Sequence, residues 1–194
     1  RFLRGEVIAA AIHFHDIADT ATDANVAVVA GEPTLYDAVL VRFCAREQGL
    51  LVAAGNPLGV ATLADVANAS ARIATRPDGA GAQQLLLALL KRDGLGLGDL
   101  AGTVLAPTGP DIAQAIRAGN ADCGIATRAV ATAAGLDFVP LLSERFDLLM
   151  RQRDSYRPPL QTLLRLLGAP VFAARARELG GLDVAGAGHV RWAP

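Results

Sequence analysis

Between residues 62 and 151 the chain repeats one local pattern: a short apolar run, a turn marked by glycine or proline, then a run with apolar residues at helical spacing. That alternation predicts an α/β sheet with parallel strands, because each helix must cross over to bring the next strand beside the last. In "TLADVANA" Thr62 caps a helix and Asp65 sits at the fourth position of a capping box. "ARIAT" then reads as a strand and "GAQQLLLALLKRDG" as a helix closed by Gly94, with Lys91 near its last carbonyls. "GTVLAP", "ADCGIA", "LDFVPL" and "ERFDLLMR" are four further strands, and "GPDIAQAIRAGN", with Pro110 in its first turn, and "TRAVATAAG" are helices. Upstream, "EVIAAAIHF" (residues 6–14) is one strand and residues 38–57 give two extended segments before a Gly-Asn-Pro turn. Residues 155–179 are expected to be helical, with Leu160, Leu163, Leu164 and Leu167 on one face and a second helix beyond Pro170, followed by a glycine-rich tail.

Length and composition exclude several classes. A chain of 194 residues can bury a core without staples, as one domain or as two small lobes around a cleft. Its net charge of −1 is too small to hold nucleic acid or an anionic membrane by bulk field. With 52% hydrophobic and 19% charged residues it lies outside the disordered regime, and no apolar run approaches the roughly 18 residues of a membrane span. Cys44 and Cys123 lie in apolar strand contexts and read as reduced core residues. Lys91 is the single lysine, so Schiff-base chemistry has no good candidate, and Ser70, Ser143 and Ser155 are all outside any G-x-S-x-G arrangement. The chain starts at Arg1 with no signal-peptide pattern, which suggests a start inside a larger protein.

The most informative piece is residues 71–90, where a strand feeds Arg76, Pro77, Asp78, Gly79, Ala80 and Gly81 and a helix follows at once. A helix N-terminus offers unpaired backbone N–H groups and a positive dipole, and glycines let an anion approach the backbone. Arg76 could add a forked donor, and Asp78 could cap the helix or orient Arg76. The loop is neither a P-loop nor a dinucleotide fingerprint, since Gln84 stands where a third glycine is needed, and a plain tight turn remains open as its reading. His13, His15 and Asp16 end the first strand, with the two imidazoles on one face, as a cleft wall or as exposed loop residues. Spacing specifies no third metal ligand, even with His189, so no metal site is expected. "TGPDIAQAI" offers a second helix N-terminus, where Asp111 reads as ordinary capping, and "ADCGIATRA" a third, with Ala126, Thr127 and Arg128 at a strand end.

Four segments together carry a resemblance: "REQGLLVAAGNPLGVATLADV", "IATRPDGAGAQQLLLALL", "AIRAGNADCGIATRAVATAAGLDFVPLLSERFDLLM" and "ARELGGLDVAGAGHV". They resemble the periplasmic-binding-protein-like domain, related to molybdate- and tungstate-binding proteins, that bacterial regulators often carry behind a helix-turn-helix. The resemblance spans most of the chain from about Gly5. It implies a type II fold of two α/β lobes joined by two crossing strands, at residues 38–43 and 144–150. The first lobe would hold residues 1–43 and 144–194, incomplete at its N-terminus because the family's first strand, ligand loop and next strand would precede Arg1; the second would hold residues 44–143. The family's loop resembling R-x-x-x-S-G-T falls on residues 76–82, where Ala80 and Ala82 stand in place of hydroxyl side chains and leave the backbone N–H groups of residues 79–82. His13 and His15 lie where related proteins place polar groups after a G-E-x-D-V segment; this sequence has Glu6 there and no aspartate.

The resemblance implies a non-catalytic domain that closes on a small anion, an oxyanion such as molybdate or tungstate, across a cleft lined by His13, residues 76–81 and residues 126–128. It would be the effector domain of a bacterial transcriptional regulator, in the cytoplasm, with a DNA-binding domain outside this chain and a homodimer as one assembly. The alternatives are a periplasmic solute-binding protein of a transporter, an enzyme using His13 or His15 as acid or base, and a module that only oligomerises. No cofactor is expected, nor direct nucleic-acid contact by this segment.

Overall fold

The computed structural model describes residues 1–14 and 23–194. In chain order its elements are β1 (Ala9–Ile12), α1 (Ala24–Ala30), β2 (Ala38–Val52), α2 (Leu63–Asn68), β3 (Arg72–Thr75), α3 (Gly81–Arg92), β4 (Gly102–Leu105) and α4 (Gly109–Arg117). They continue as β5 (Cys123–Thr127), α5 (Arg128–Ala134), β6 (Asp137–Arg151), α6 (Gln152–Ser155), α7 (Pro158–Leu167), α8 (Pro170–Leu179), β7 (Leu182–Asp183) and β8 (Val190–Trp192). The chain divides into two compact units. Unit 1 holds residues 1–46, 144–178 and 182–194, and unit 2 holds residues 47–143 and 179–181.

In unit 1, β1 pairs antiparallel with β6, Ala9 opposite Met150 and Ile12 opposite Asp147. The first half of β2 pairs antiparallel with β7 and with β8. Residues 38–41 are buried on both faces, and their period of two explains how. Val39 and Val41 join Leu148, Met150, Leu160 and Leu167 in one cluster, while Ala38 and Leu40 join Val29, Leu35 and Leu149 in another. Unit 2 is the alternating part of the chain. There the second half of β2 pairs antiparallel with β5, and β3 lies parallel to both β5 and β4. Helix α2 begins with the expected capping box, Thr62 Oγ1 accepting from Asp65 N–H and the Asp65 carboxylate accepting from Thr62 N–H. Its core joins Leu51 and Ala74 to Ile112, Ala113 and Ile116 of α4.

The α/β class holds, with four corrections to the expected elements. Residues 38–52 and 137–151 are each one unbroken strand of 15 residues rather than two segments. The sheet is mixed, because β2 and β6 enter with antiparallel partners and leave parallel pairing to β3, β4 and β5. The glycine-rich tail contributes two short strands. Strand β1 ends at Ile12, so His13 lies just beyond it rather than on it. Helix α1 was not expected; the Asp23 side chain caps it by accepting from Val26 N–H. Cys44 and Cys123 are free and buried, and burial pushes their thiols up to about 11 and about 12. Among the described residues no helix is long and apolar enough to cross a membrane.

Candidate functional site

Parallel pairing of β3 with β5, Ile73 opposite Cys123 and Ala74 opposite Gly124, sends both strands out of the same edge of unit 2. The loop after β3 and the start of α5 therefore emerge on neighbouring strands, whose spacing is about 4.8 Å. Of the residues singled out in the sequence, Arg76, Asp78, Gly79, Ala80, Gly81, Ala126, Thr127 and Arg128 all lie at this edge. The carboxyl edge of parallel strands is where α/β sheets place ligands.

The first loop is a closed turn: Ala80 N–H donates to Pro77 C=O at 3.1 Å, and Gly79 takes φ +82°, a conformation side chains disfavour. A second brace was not visible in the sequence. The buried Gln83 side chain reaches back from α3, and its Oε1 accepts the Arg76 N–H at 3.0 Å. Helix α3 starts at Gly81 behind Ala80, which has no side-chain cap. Gln83 and Gln84 N–H donate to Ala80 C=O, while the N–H groups of Gly81 and Ala82 have no acceptor among the described residues. The Arg76 Nε is buried and also without a hydrogen-bond partner among the described residues. Asp78 is exposed and makes neither contact expected of it, since nothing caps α3 and no Asp78–Arg76 pair forms among the described residues.

The neighbouring helix starts differ. At α4, Thr108 Oγ1 accepts from Asp111 N–H and donates to Asp111 Oδ2 at 2.6 Å, which is ordinary capping with a carboxylate in the opening turn. At α5, Thr127 makes no capping bond, and the side chain of Arg128 folds back so that its Nε donates to Glu47 Oε2 while its guanidinium lies 4.4 Å above the Phe138 ring.

His13 belongs to unit 1, where its ring stacks on Phe146 at 5.4 Å and 14° and its Nδ1 is 3.7 Å from Glu144 Oε2. Arg46 covers Phe146 at 4.2 Å and donates through Nε to Glu144 Oε1. Sequence reading assigned no site role to Arg46, Glu144 or Phe146, because Arg46 stands 98 residues before Glu144 and only the paired strands bring them together. His15 and Asp16 lie outside the described residues. His189 is exposed, and no group of three or more His, Cys, Asp or Glu side chains converges as a metal would require among the described residues.

The fold and the strand-edge loops define a type II periplasmic-binding-protein-like α/β domain. The chain belongs to the PBP superfamily, whose family model, described as "PBP superfamily domain", matches residues 1–168. It is similar to the uncharacterized protein YvgK of Bacillus subtilis (strain 168), with 28% identity over 169 residues, covering 84% of this chain and 51% of the relative. The chain thus spans about half the length of that relative. Among solved structures it is similar to the regulatory domain of MetR, a LysR family regulator from N. meningitidis, with a TM-score of 0.62 and 13% identity over 93% of this chain and 76% of that one. It is also similar to L-phospholactate-bound PEB3, a Campylobacter jejuni protein, with a TM-score of 0.58 and 15% identity over 80% of this chain and 74% of that one. These likenesses show the fold.

Proposed function

We propose that this chain binds a small anion without catalysis and serves as the ligand-sensing domain of a transcriptional regulator. One observation carries the reading: the start of α3 presents the unpaired N–H groups of Gly81 and Ala82 beside Arg76, whose buried Nε has no partner among the described residues. Unpaired backbone donors at a helix start attract negative charge, and a guanidinium adds a charge-assisted bond worth roughly 1.5–3 kcal/mol. The start of α4 is closed to an anion by Asp111, which leaves the loop after β3 and Arg128 as the receiving groups of this edge. Ala80 and Ala82 supply no hydroxyl donors, so the oxyanion, molybdate and tungstate included, would be held by backbone and arginine alone. Two observations favour the regulator: the likeness to the regulatory domain of a LysR family regulator, and a relative of which this chain matches only 51%, with room for a DNA-binding domain.

Thermal shift against phosphate, sulfate, molybdate, tungstate, acetate and L-phospholactate would identify the anion class. Calorimetry with the best of these should then show Arg76→Ala binding about tenfold to a hundredfold more weakly and Lys91→Ala, at the far end of α3, binding like the parent. Equal affinities for all three proteins would leave the loop as a structural turn.

A further inference from the structure

Arg128 is held from three sides within unit 2. Its Nε donates to Glu47 Oε2, its guanidinium plane lies over Phe138 at 4.4 Å, and the backbone at Gly180 and Gly181 closes the remaining flank. The approach at Gly181 is so close that a Cβ there would stand 2.6 Å from Arg128 Cβ and 2.9 Å from Glu47 Oε2. Gly181 also accepts the Glu47 N–H at 2.9 Å, which fixes this segment to the second half of β2. The Gly-Gly pair that reads in sequence as part of a loose tail is therefore the wall of an arginine cage. Only Nε is engaged: both terminal nitrogens of Arg128 lack a partner among the described residues, and about a third of the side chain is exposed. A guanidinium pinned at Nε keeps its terminal nitrogens as a planar fork, the shape that takes two oxygens of one anionic group.

We propose that Arg128 is presented as a fixed fork to a carboxylate or phosphate group of the ligand, and that Glu47, Phe138 and Gly181 are its positioning residues. The inference rests on the anion-binding reading above. Freezing the arginine before the ligand arrives removes an entropic cost that a mobile side chain would carry on binding, so the cage raises affinity without touching the ligand.

Calorimetry of the whole chain with inorganic phosphate, acetate and L-phospholactate tests this, the three probes separating the phosphate from the carboxylate source. Arg128→Lys keeps the charge but loses the fork and should bind about tenfold more weakly. Glu47→Ala releases Nε and should also lose about tenfold, while Glu47→Gln keeps an acceptor and should stay within about threefold of the parent. Phe138→Leu removes the ring beneath the guanidinium and should weaken binding in the same direction by a route that leaves both charges in place, which covers the case of Glu47→Ala failing to fold. Melting of the unliganded variants separates affinity from stability. Parental affinity in Arg128→Lys, or tighter binding in Glu47→Ala, would overturn the fork and leave the anion loop standing. A parent chain that binds none of the probes would remove the anion reading and this proposal with it.

Discussion

Arg191 grips Asp147 with both ends of its fork, Nε donating to Oδ1 at 2.8 Å and a terminal nitrogen to Oδ2, although the carboxylate is only 1% exposed. The same guanidinium reaches Asp23 at 2.5 and 3.1 Å, and Asn25 Nδ2 donates to Asp147 Oδ2 at 2.6 Å. These contacts join β8, β6 and the start of α1 within unit 1.

Arg191→Met should destabilise the protein by about 3–5 kcal/mol, because it strands a buried carboxylate with one amide donor. Adding Asp147→Asn should recover part of the loss, since the remaining group is then neutral. Urea denaturation of the single and double variants measures both. A single variant within about 1 kcal/mol of the parent would mean that the network only decorates unit 1.

Stability should fall in acid through Asp23 and Asp122. Burial pushes Asp23 up, but hydrogen bonds from Arg191 and the Val26 N–H, with the charges of Arg191 and Arg145, outweigh it and hold the carboxyl below the ordinary range. In unit 2 the Arg72 guanidinium does the same to Asp122, against a smaller cost of burial. A carboxyl lowered in the folded state contributes its full stabilisation above the unfolded value of about 4 and loses it as pH falls through the folded value. Melting temperatures should therefore be flat from pH 7 to about 5 and drop below 4, with a shallower drop in Asp23→Asn. An identical acid limb in that variant would assign the loss to other groups.

Both cysteines should be inert while the protein is folded. Burial holds the Cys44 and Cys123 thiols at about 11 and about 12, so almost no thiolate exists at pH 8. A chromogenic disulfide reagent should label neither in buffer and both in guanidinium chloride. Fast labelling of the native chain would show that one strand opens far more often than its burial implies.

How much of this was legible in the sequence depends on where the information lies. Helix α2 and the strand–helix units that follow it were readable because capping, periodicity and turn residues are local, as Thr62 with Asp65 shows. The long strands were not: Arg46, Glu47 and Gln48 look like a break in β2, yet all three lie within one continuous strand and the first two form ion pairs there. Antiparallel pairing, the Arg191 network and the Glu47–Arg128 pair of the cage depend on partners 44 to 168 residues away, and no window of sequence contains both ends. The loop after β3 was legible as a helix start rich in glycine, but its brace by Gln83 was hidden because a glutamine inside a helix is usually a surface residue.

That brace leads to the last expectation. Gln83 is 5% exposed, and its Oε1 is the acceptor that fixes the Arg76 N–H at 3.0 Å. Gln83→Leu conserves volume but leaves that N–H without its partner, a cost of about 1–3 kcal/mol if no water replaces it. The loop would relax, and the backbone of Arg76 would lose its tie to the start of α3. Anion affinity should fall by roughly tenfold, whereas Gln84→Leu, the exposed neighbour, should change neither stability nor affinity. Calorimetry and thermal melting of the two variants read both effects. A Gln83→Leu protein that is less stable but binds as the parent does would confine the brace to folding and free the binding geometry from it.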